Sequence, residues 1–110
     1  MYYKEAKAYR RDEVSVFAIT RCVYDEDIKE ELLEIKKLSV RILEKQKGFI
    51  GVKQYICEEM NEMVSIIEWE TKEDHEKSME SPDWDTVNPT WIALTKGAKI
   101  TFEVNLFEPH

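Results

Sequence analysis

Alternating apolar and polar positions predict four β-strands along this chain, at residues 14–24, 49–57, 63–69 and 99–107. These segments are rich in Val, Ile, Phe and Tyr, residue types that favour strands. Between the first two strands the period changes, and apolar residues recur at helical spacing over residues 27–46. At 100° per residue six of the apolar positions fall within one arc of about 140°, whereas Leu33 and Val40 lie well outside it. This arc predicts the face that packs on the core: Ile28, Leu32, Ile35, Leu38, Ile42 and Leu43.

A second helical region is predicted between residues 71 and 97. Thr71 and Ser81 are suitable N-caps within it, Asn88-Pro89 must kink or break it, and Gly97 ends it. The chain therefore runs strand, helix, strand, strand, helix, strand. This order predicts an α+β fold of the ferredoxin-like type, a split βαβ unit with a four-stranded antiparallel sheet whose two helices cover one face.

The length of 110 residues predicts one domain, at residues 14–108, preceded by a polar N-terminal arm at residues 1–13. A net charge of -7 without a basic stripe argues against nucleic acid as a partner. No apolar run approaches the ~18 residues that would span a bilayer, and the N-terminus lacks the apolar core of a signal peptide. We therefore predict no membrane partner and a cytoplasmic location.

Alternation along the strands predicts how residues are distributed between the two faces of the sheet. The helix-covered face is predicted to be aliphatic, with Ile50, Val52, Ile56, Val64, Ile66 and the apolar positions of the last strand. The opposite face is predicted to be mixed, with both apolar and polar members: Phe17, Ile19, Arg21, Lys53, Tyr55, Ser65, Ile67, Trp69, Thr101, Glu103 and Asn105.

A mixed face of this kind is too apolar to be exposed as a whole and too polar for a simple core. A homodimer in which two sheets pack together and leave a pocket in each subunit accommodates both properties. An apolar pocket with a few polar groups suits a small hydrophobic or aromatic molecule, which is the partner that we predict.

Three segments of the sequence carry a resemblance to a known family. They are Gly48-Phe49-Ile50-Gly51-Val52, residues 64–75 with their Ile-Ile-Glu-Trp-Glu core, and Ser81-Pro82-Asp83-Trp84. Together they resemble the antibiotic biosynthesis monooxygenase domain over nearly the whole chain. The resemblance implies a dimeric α+β barrel with a cavity between sheet and helices in each subunit. It also implies O₂ chemistry on a small aromatic or quinone-like compound, so we expect no cofactor and no metal site.

The resemblance implies an oxygenase site made of a dry pocket, a proton acceptor and hydrogen-bond donors for a developing oxyanion. On the mixed face we assign the catalytic roles to Arg21, Glu103 and Asn105. The predicted substrate-binding residues are Phe17, Tyr55, Ser65, Ile67 and Trp69.

Several alternatives stay open at this stage. Arg21 and Glu103 would be structural if they only pair with each other across neighbouring strands. Trp69 would be structural if it only closes the end of the barrel. His75 is expected at the surface. In haem-degrading relatives a histidine binds the iron at a position that falls near Asn88, and this chain has no histidine there, so haem degradation is disfavoured. The competing functions are a non-catalytic ligand-binding or stress-response module and an isomerase-like relative, because one fold supports many functions.

Overall fold

The computed structural model describes residues 15–110, and the predicted N-terminal arm at residues 1–13 lies outside the described residues. Four antiparallel strands form one sheet in the order β2-β3-β1-β4. Their bounds are Val16–Tyr24 for β1, Phe49–Cys57 for β2, Glu62–Trp69 for β3 and Ile100–Phe107 for β4. The predicted ferredoxin-like α+β fold is therefore confirmed.

Among residues 15–110, three α-helices accompany the sheet: α1 at Lys29–Glu44, α2 at Lys72–Ser78 and α3 at Asn88–Lys96. A 3-10 turn, Glu26–Ile28, precedes α1, and another, Pro82–Thr86, lies between α2 and α3. The predicted second helical region is thus divided, because Asn88-Pro89 starts a new helix where Pro fits the first turn. Within residues 15–110, no helix is long and apolar enough to cross a membrane.

Local capping and turn residues set the ends of these elements. Thr71 Oγ1 accepts a hydrogen bond of 3.0 Å from the backbone N–H of Asp74 at the start of α2. Gly48 lies at φ +84° between α1 and β2, and a Cβ there would overlap the carboxylate of Asp74. Asn61 adopts the left-handed conformation in the β2–β3 connection, with φ 50°.

The helix-covered face of β3 differs from the predicted one. Thr20 of β1 lies directly opposite Ser65, and Ala18 lies opposite Ile67. Directly paired residues point to the same side of a sheet, so Ser65 and Ile67 share the buried face with Ala18 and Thr20. Trp69 lies on that face as well, because it is opposite the buried Val16.

The assignment of Val64 and Ile66 to the helix-covered face was therefore wrong, because both point to the open side of the sheet. β3 has apolar residues on both faces, so its alternation did not distinguish them. A register shift between Phe49 and Gly51 likewise leaves Ile50 exposed, and Phe49 lies opposite Trp69 instead.

The buried face of α1 is rotated relative to the prediction. Leu38 is 46% exposed although the apolar arc included it, whereas Lys36 is only 9% exposed. On a helical wheel Lys36 lies about 20° beyond Leu43, on the side of the arc opposite Leu38. The helix therefore buries an arc that includes a lysine, and that lysine faces the cavity described next.

Candidate functional site

A cavity of about 480 Å³ lies between the sheet and the helices. Its floor consists of side chains from all four strands, and α1, α2 and the segment through α3 form its walls. The lining is predominantly apolar, and the volume is in the range of small-molecule sites. The family resemblance predicted a cavity in this position.

The structure divides the eight predicted site residues between the two faces of the sheet. Ser65, Ile67 and Trp69 line the cavity. The other five point to the open face, on the far side of the sheet from the cavity: Phe17, Arg21, Tyr55, Glu103 and Asn105. The expectation that all eight surround one pocket was wrong, because β3 presents the opposite set of side chains to the one predicted.

Arg21 lies on the open face in a cluster of charges. Its Nε donates a hydrogen bond to the carboxylate of Glu62, and its Nη1 lies 3.8 Å from Oε1 of Glu103 on the neighbouring strand. The hydrogen bond and the charge of Glu62 raise the pKa of the Arg21 guanidinium. Arg21 and Glu103 therefore pair across the sheet, which was the structural alternative for these two residues.

Lys36 is a residue of the cavity that the sequence analysis missed. Its Nζ donates a hydrogen bond of 3.2 Å to Oγ of Ser65 on the facing strand. Burial lowers the pKa of the Lys36 ammonium. The signal was present in the sequence, because Lys36 follows Leu32 by four residues and precedes Leu43 by seven, the spacing of one helix face.

Ser65 joins Lys36 to a second polar side chain. Its Oγ accepts a further hydrogen bond of 3.4 Å from Nε2 of Gln54 on β2. A hydroxyl oxygen accepts two hydrogen bonds and donates one. With both acceptor positions used, the Ser65 O–H is left to donate, and no acceptor for it lies within residues 15–110.

Trp69 and His75 form a second polar pair at the cavity wall. Their ring centroids are 5.9 Å apart, and both residues are buried. Neither Trp69 Nε1 nor His75 Nδ1 has a hydrogen-bond partner among the described residues. Buried polar atoms are nearly always paired in folded proteins, so these two lack the usual partner, which the described residues do not supply.

His75 was expected at the surface, and that expectation was wrong. α2 presents Asp74, His75 and Ser78 inwards, and its sequence contains no apolar stripe that would have marked an inner face. Burial lowers the pKa of the His75 imidazole, so it is neutral near pH 7. A neutral imidazole can accept a proton.

The other two tryptophans also line the cavity, but their N–H groups are already bonded. Trp84 Nε1 donates to the carbonyl of Ser78 at 2.7 Å, and Trp91 Nε1 donates to Ser39 Oγ at 3.2 Å. Both rings pack against the core. All three tryptophans of the chain therefore border the cavity, and Trp69 alone among them has an unused N–H.

The ionisable groups that line the cavity are basic. They are Lys36, His75 and Lys96, and no Asp or Glu among residues 15–110 contributes to the lining. Within the same residues, no group of three or more His, Cys, Asp or Glu side chains is arranged to hold a metal ion. The cavity is thus an apolar space with separate donor and acceptor groups on its walls.

No protein-family model and no curated protein matches this chain, whereas solved structures do. A conserved protein from Methanosarcina mazei Go1 superposes with a TM-score of 0.75 at 13% identity, over 93% of this chain and 99% of that one. SnoaB, a cofactor-independent oxygenase from Streptomyces nogalater, has a TM-score of 0.71 at 19% identity, over 88% of this chain and 94% of that one. A structure named antibiotic biosynthesis monooxygenase has a TM-score of 0.69 at 11% identity, over 86% and 98%.

The structural neighbours thus include antibiotic biosynthesis monooxygenases, the family that the sequence resembles. At these identities the superpositions establish the fold alone, which is the ferredoxin-like α+β fold described above.

Proposed function

We propose that this protein is a cofactor-independent monooxygenase that oxidises a small aromatic or quinone-like compound in the cavity between sheet and helices. The observation that carries the proposal is the apolar cavity of about 480 Å³ whose walls hold buried, unpartnered polar atoms at Trp69 and His75. The neighbouring structure of SnoaB, a cofactor-independent oxygenase, supports the same chemistry on this fold.

In this chemistry the protein has to bind the substrate and transfer a proton. For an anthrone-type substrate, a CH₂ group becomes a carbonyl, one oxygen atom of O₂ enters the product, and the other leaves as water. The substrate supplies all the electrons, so the protein has to accept a proton and stabilise the resulting anion. The neutral imidazole of His75 is our proposed proton acceptor, and the N–H of Trp69 is a proposed donor to the substrate oxygen.

We also propose that the protein is a homodimer that packs through the open face of the sheet. That face exposes large apolar side chains on both outer and inner strands, including Phe17 at 37%, Tyr55 at 56% and Phe107 at 53%. An exposed apolar surface of this kind favours association. Under this proposal the charged cluster of Arg21 and Glu103 belongs to the interface.

A second candidate function is ligand binding without turnover. The observation that favours it is the lack of an acidic side chain in the cavity lining among residues 15–110. In that case His75 and Trp69 would only orient the ligand. The two candidates differ in whether O₂ is consumed.

The test is oxygen uptake by the purified protein with a panel of quinols, anthrones and flavonols, repeated in the presence of chelators. We expect protein-dependent uptake that resists chelators and that falls when Val40→Phe fills the cavity from α1. Leu33→Phe, at an exposed position two turns earlier on the same helix and outside the cavity lining, is the matched control and should retain the uptake. Saturable binding of a panel compound without uptake would instead favour the binding module.

Trp69→Phe adds a test of the proposed donor. The substitution keeps an aromatic ring and removes an N–H that forms no hydrogen bond within the described residues. We therefore expect a larger loss in uptake rate than in the free energy of unfolding. If Trp69→Phe unfolds the protein, this tryptophan is structural.

A further inference from the structure

Lys36 is the one ionisable side chain of α1 that is buried, and it lies at the cavity wall. Its charge has no carboxylate within 4 Å among residues 15–110. The neutral hydroxyl of Ser65 is its hydrogen-bond partner. A buried lysine without a counter-charge is costly for the fold, so its presence in the wall of a ligand-sized cavity calls for a partner from outside the described residues.

The unused hydrogen-bonding groups of Lys36 and Ser65 are donors. An ammonium group has three N–H donors, and Ser65 uses one of them. The Ser65 oxygen in turn accepts from Lys36 and from Gln54, so its own O–H is free to donate. Donors from α1 and β3 therefore meet at the cavity wall, and no acceptor among residues 15–110 takes up the remaining N–H groups of Lys36 or the O–H of Ser65.

We propose that Lys36 and Ser65 form an anion-binding subsite that takes the ionised hydroxyl of an aromatic or enolic ligand. This inference rests on the proposed function of the cavity and adds the position at which the ionised oxygen of the ligand is held, between α1 and β3. The ligand oxygen accepts hydrogen bonds from Nζ of Lys36 and from the O–H of Ser65. The apolar remainder of the cavity holds the ring.

Proton balance is simple at this subsite. A ligand that enters ionised pairs directly with the Lys36 ammonium. When a neutral phenol meets the neutral amine, its O–H bond breaks and an N–H bond forms, which gives the same phenolate–ammonium pair. No oxidant or reductant takes part in either case.

The other ionisable groups near Lys36 do not neutralise it. Cys22 on β1 is fully buried, and burial raises the pKa of its thiol, so it stays uncharged near neutral pH. His75 and Lys96 are the remaining ionisable groups of the lining, and neither supplies negative charge. A ligand anion is therefore the charge that complements Lys36.

The test compares two probes of similar shape, 4-nitrophenol and 4-nitrotoluene. The phenolate of 4-nitrophenol is yellow and the phenol nearly colourless, so absorbance reports the ionisation of the bound probe. We expect the wild-type protein to bind both probes and to lower the pKa of bound 4-nitrophenol below its value in free solution. Lys36→Met should weaken phenolate binding about tenfold or more and leave 4-nitrotoluene binding within about twofold.

Lys37→Met is the matched control, because it removes the same charge from the exposed side of the same helix. It should leave both affinities unchanged. Phenolate affinity in Lys36→Met equal to that of the wild type would overturn the subsite. If the substitution disturbs folding, the wild-type titration alone decides, since a bound probe with an unchanged or raised pKa also overturns it.

The outcomes separate this inference from the proposed function. Binding of 4-nitrotoluene without preference for the phenolate contradicts the Lys36 subsite and leaves the cavity as a site for neutral aromatic compounds. Failure of the wild-type protein to bind either probe contradicts the aromatic-binding cavity, and the subsite falls with it.

Discussion

Replacing Lys36 by methionine is predicted to make the folded protein more stable. The substitution keeps an unbranched side chain of similar length and removes a charge from a site that is 9% exposed. Burying an ammonium group costs several kcal/mol even after local relaxation. The single hydrogen bond to Ser65 returns about 1.5–3 kcal/mol. We therefore expect the free energy of unfolding to rise by about 1–3 kcal/mol near neutral pH.

The assay is urea or thermal unfolding of both proteins at one protein concentration, since association would also shift the midpoint. In a domain of this size each kcal/mol corresponds to roughly 4–8 °C in Tm. Lys37→Met should change Tm by little, because the Lys37 side chain is 70% exposed and its pair with Glu34 lies at the surface. A Lys36→Met protein clearly less stable than the wild type would refute this reasoning.

The pH dependence of the difference has a definite sign. Burial lowers the pKa of Lys36 in the folded state from its ordinary value of 10.5. Between the two pKa values the unfolded chain binds more protons than the folded one, so wild-type stability rises with pH through this window. The advantage of Lys36→Met should therefore be full below the folded-state pKa and disappear as the pH rises above the unfolded value. An advantage that persists or grows at alkaline pH would contradict the assignment of the cost to charge burial.

Three further predictions concern a turn, an imidazole and the open face of the sheet. Gly48→Ala should lower the free energy of unfolding by about 1–3 kcal/mol, because φ is +84° and a Cβ would meet the Asp74 carboxylate. Gly51→Ala, with nothing within 4 Å of its Cβ, should be close to neutral in the same urea titration. Burial lowers the pKa of His75 in the folded state. The contribution of the neutral imidazole to the free energy of unfolding is therefore full above the unfolded pKa of 6.5 and is lost as pH falls through the folded-state pKa. His75→Gln should flatten that acid-side loss of stability in unfolding titrations. Phe17→Asp on the open face should convert a dimer into monomers in sedimentation velocity, and a wild-type monomer at micromolar concentration would remove the dimer proposal.

Most of the fold was predictable because its signals are local. Strand β2 begins and ends at the predicted residues, and the caps at Thr71 and Ser81 are formed by their side-chain oxygens. Glycine and asparagine at positive φ mark the turns at residues 48 and 61. These features depend on a few neighbouring residues, so the sequence alone contains them.

The orientation of β3 was not predictable in this way. Val64 and Ile66 are as apolar as Ile67 and Trp69, and the alternation along the strand supports either face. The register with β1 decides which face of β3 is buried, because Ile67 and Ser65 lie opposite the small buried Ala18 and Thr20. Register is a long-range property, and an error of one residue transfers every side chain to the other face.

The candidate site was only partly predictable, because it depends on the register of β3 and because it includes buried charged and polar residues. Ser65, Ile67 and Trp69 belong to the cavity, although the face assigned to them was wrong. Lys36 and His75 were missed because hydrophobic periodicity treats a charged or polar residue as exposed. Residues of this kind are buried where a cavity or a ligand requires them, which is where pattern reasoning is expected to fail.

We propose that ligands bind in the helix-covered cavity and not on the open face of the sheet. All three tryptophans line the cavity, so a titration of tryptophan fluorescence with a hydroxyanthraquinone measures its occupancy directly. We expect saturable quenching in the wild type, its loss in Val40→Phe, and its retention in Tyr55→Ala on the open face. Quenching that survives Val40→Phe and disappears in Tyr55→Ala would place the site on the open face and contradict this account.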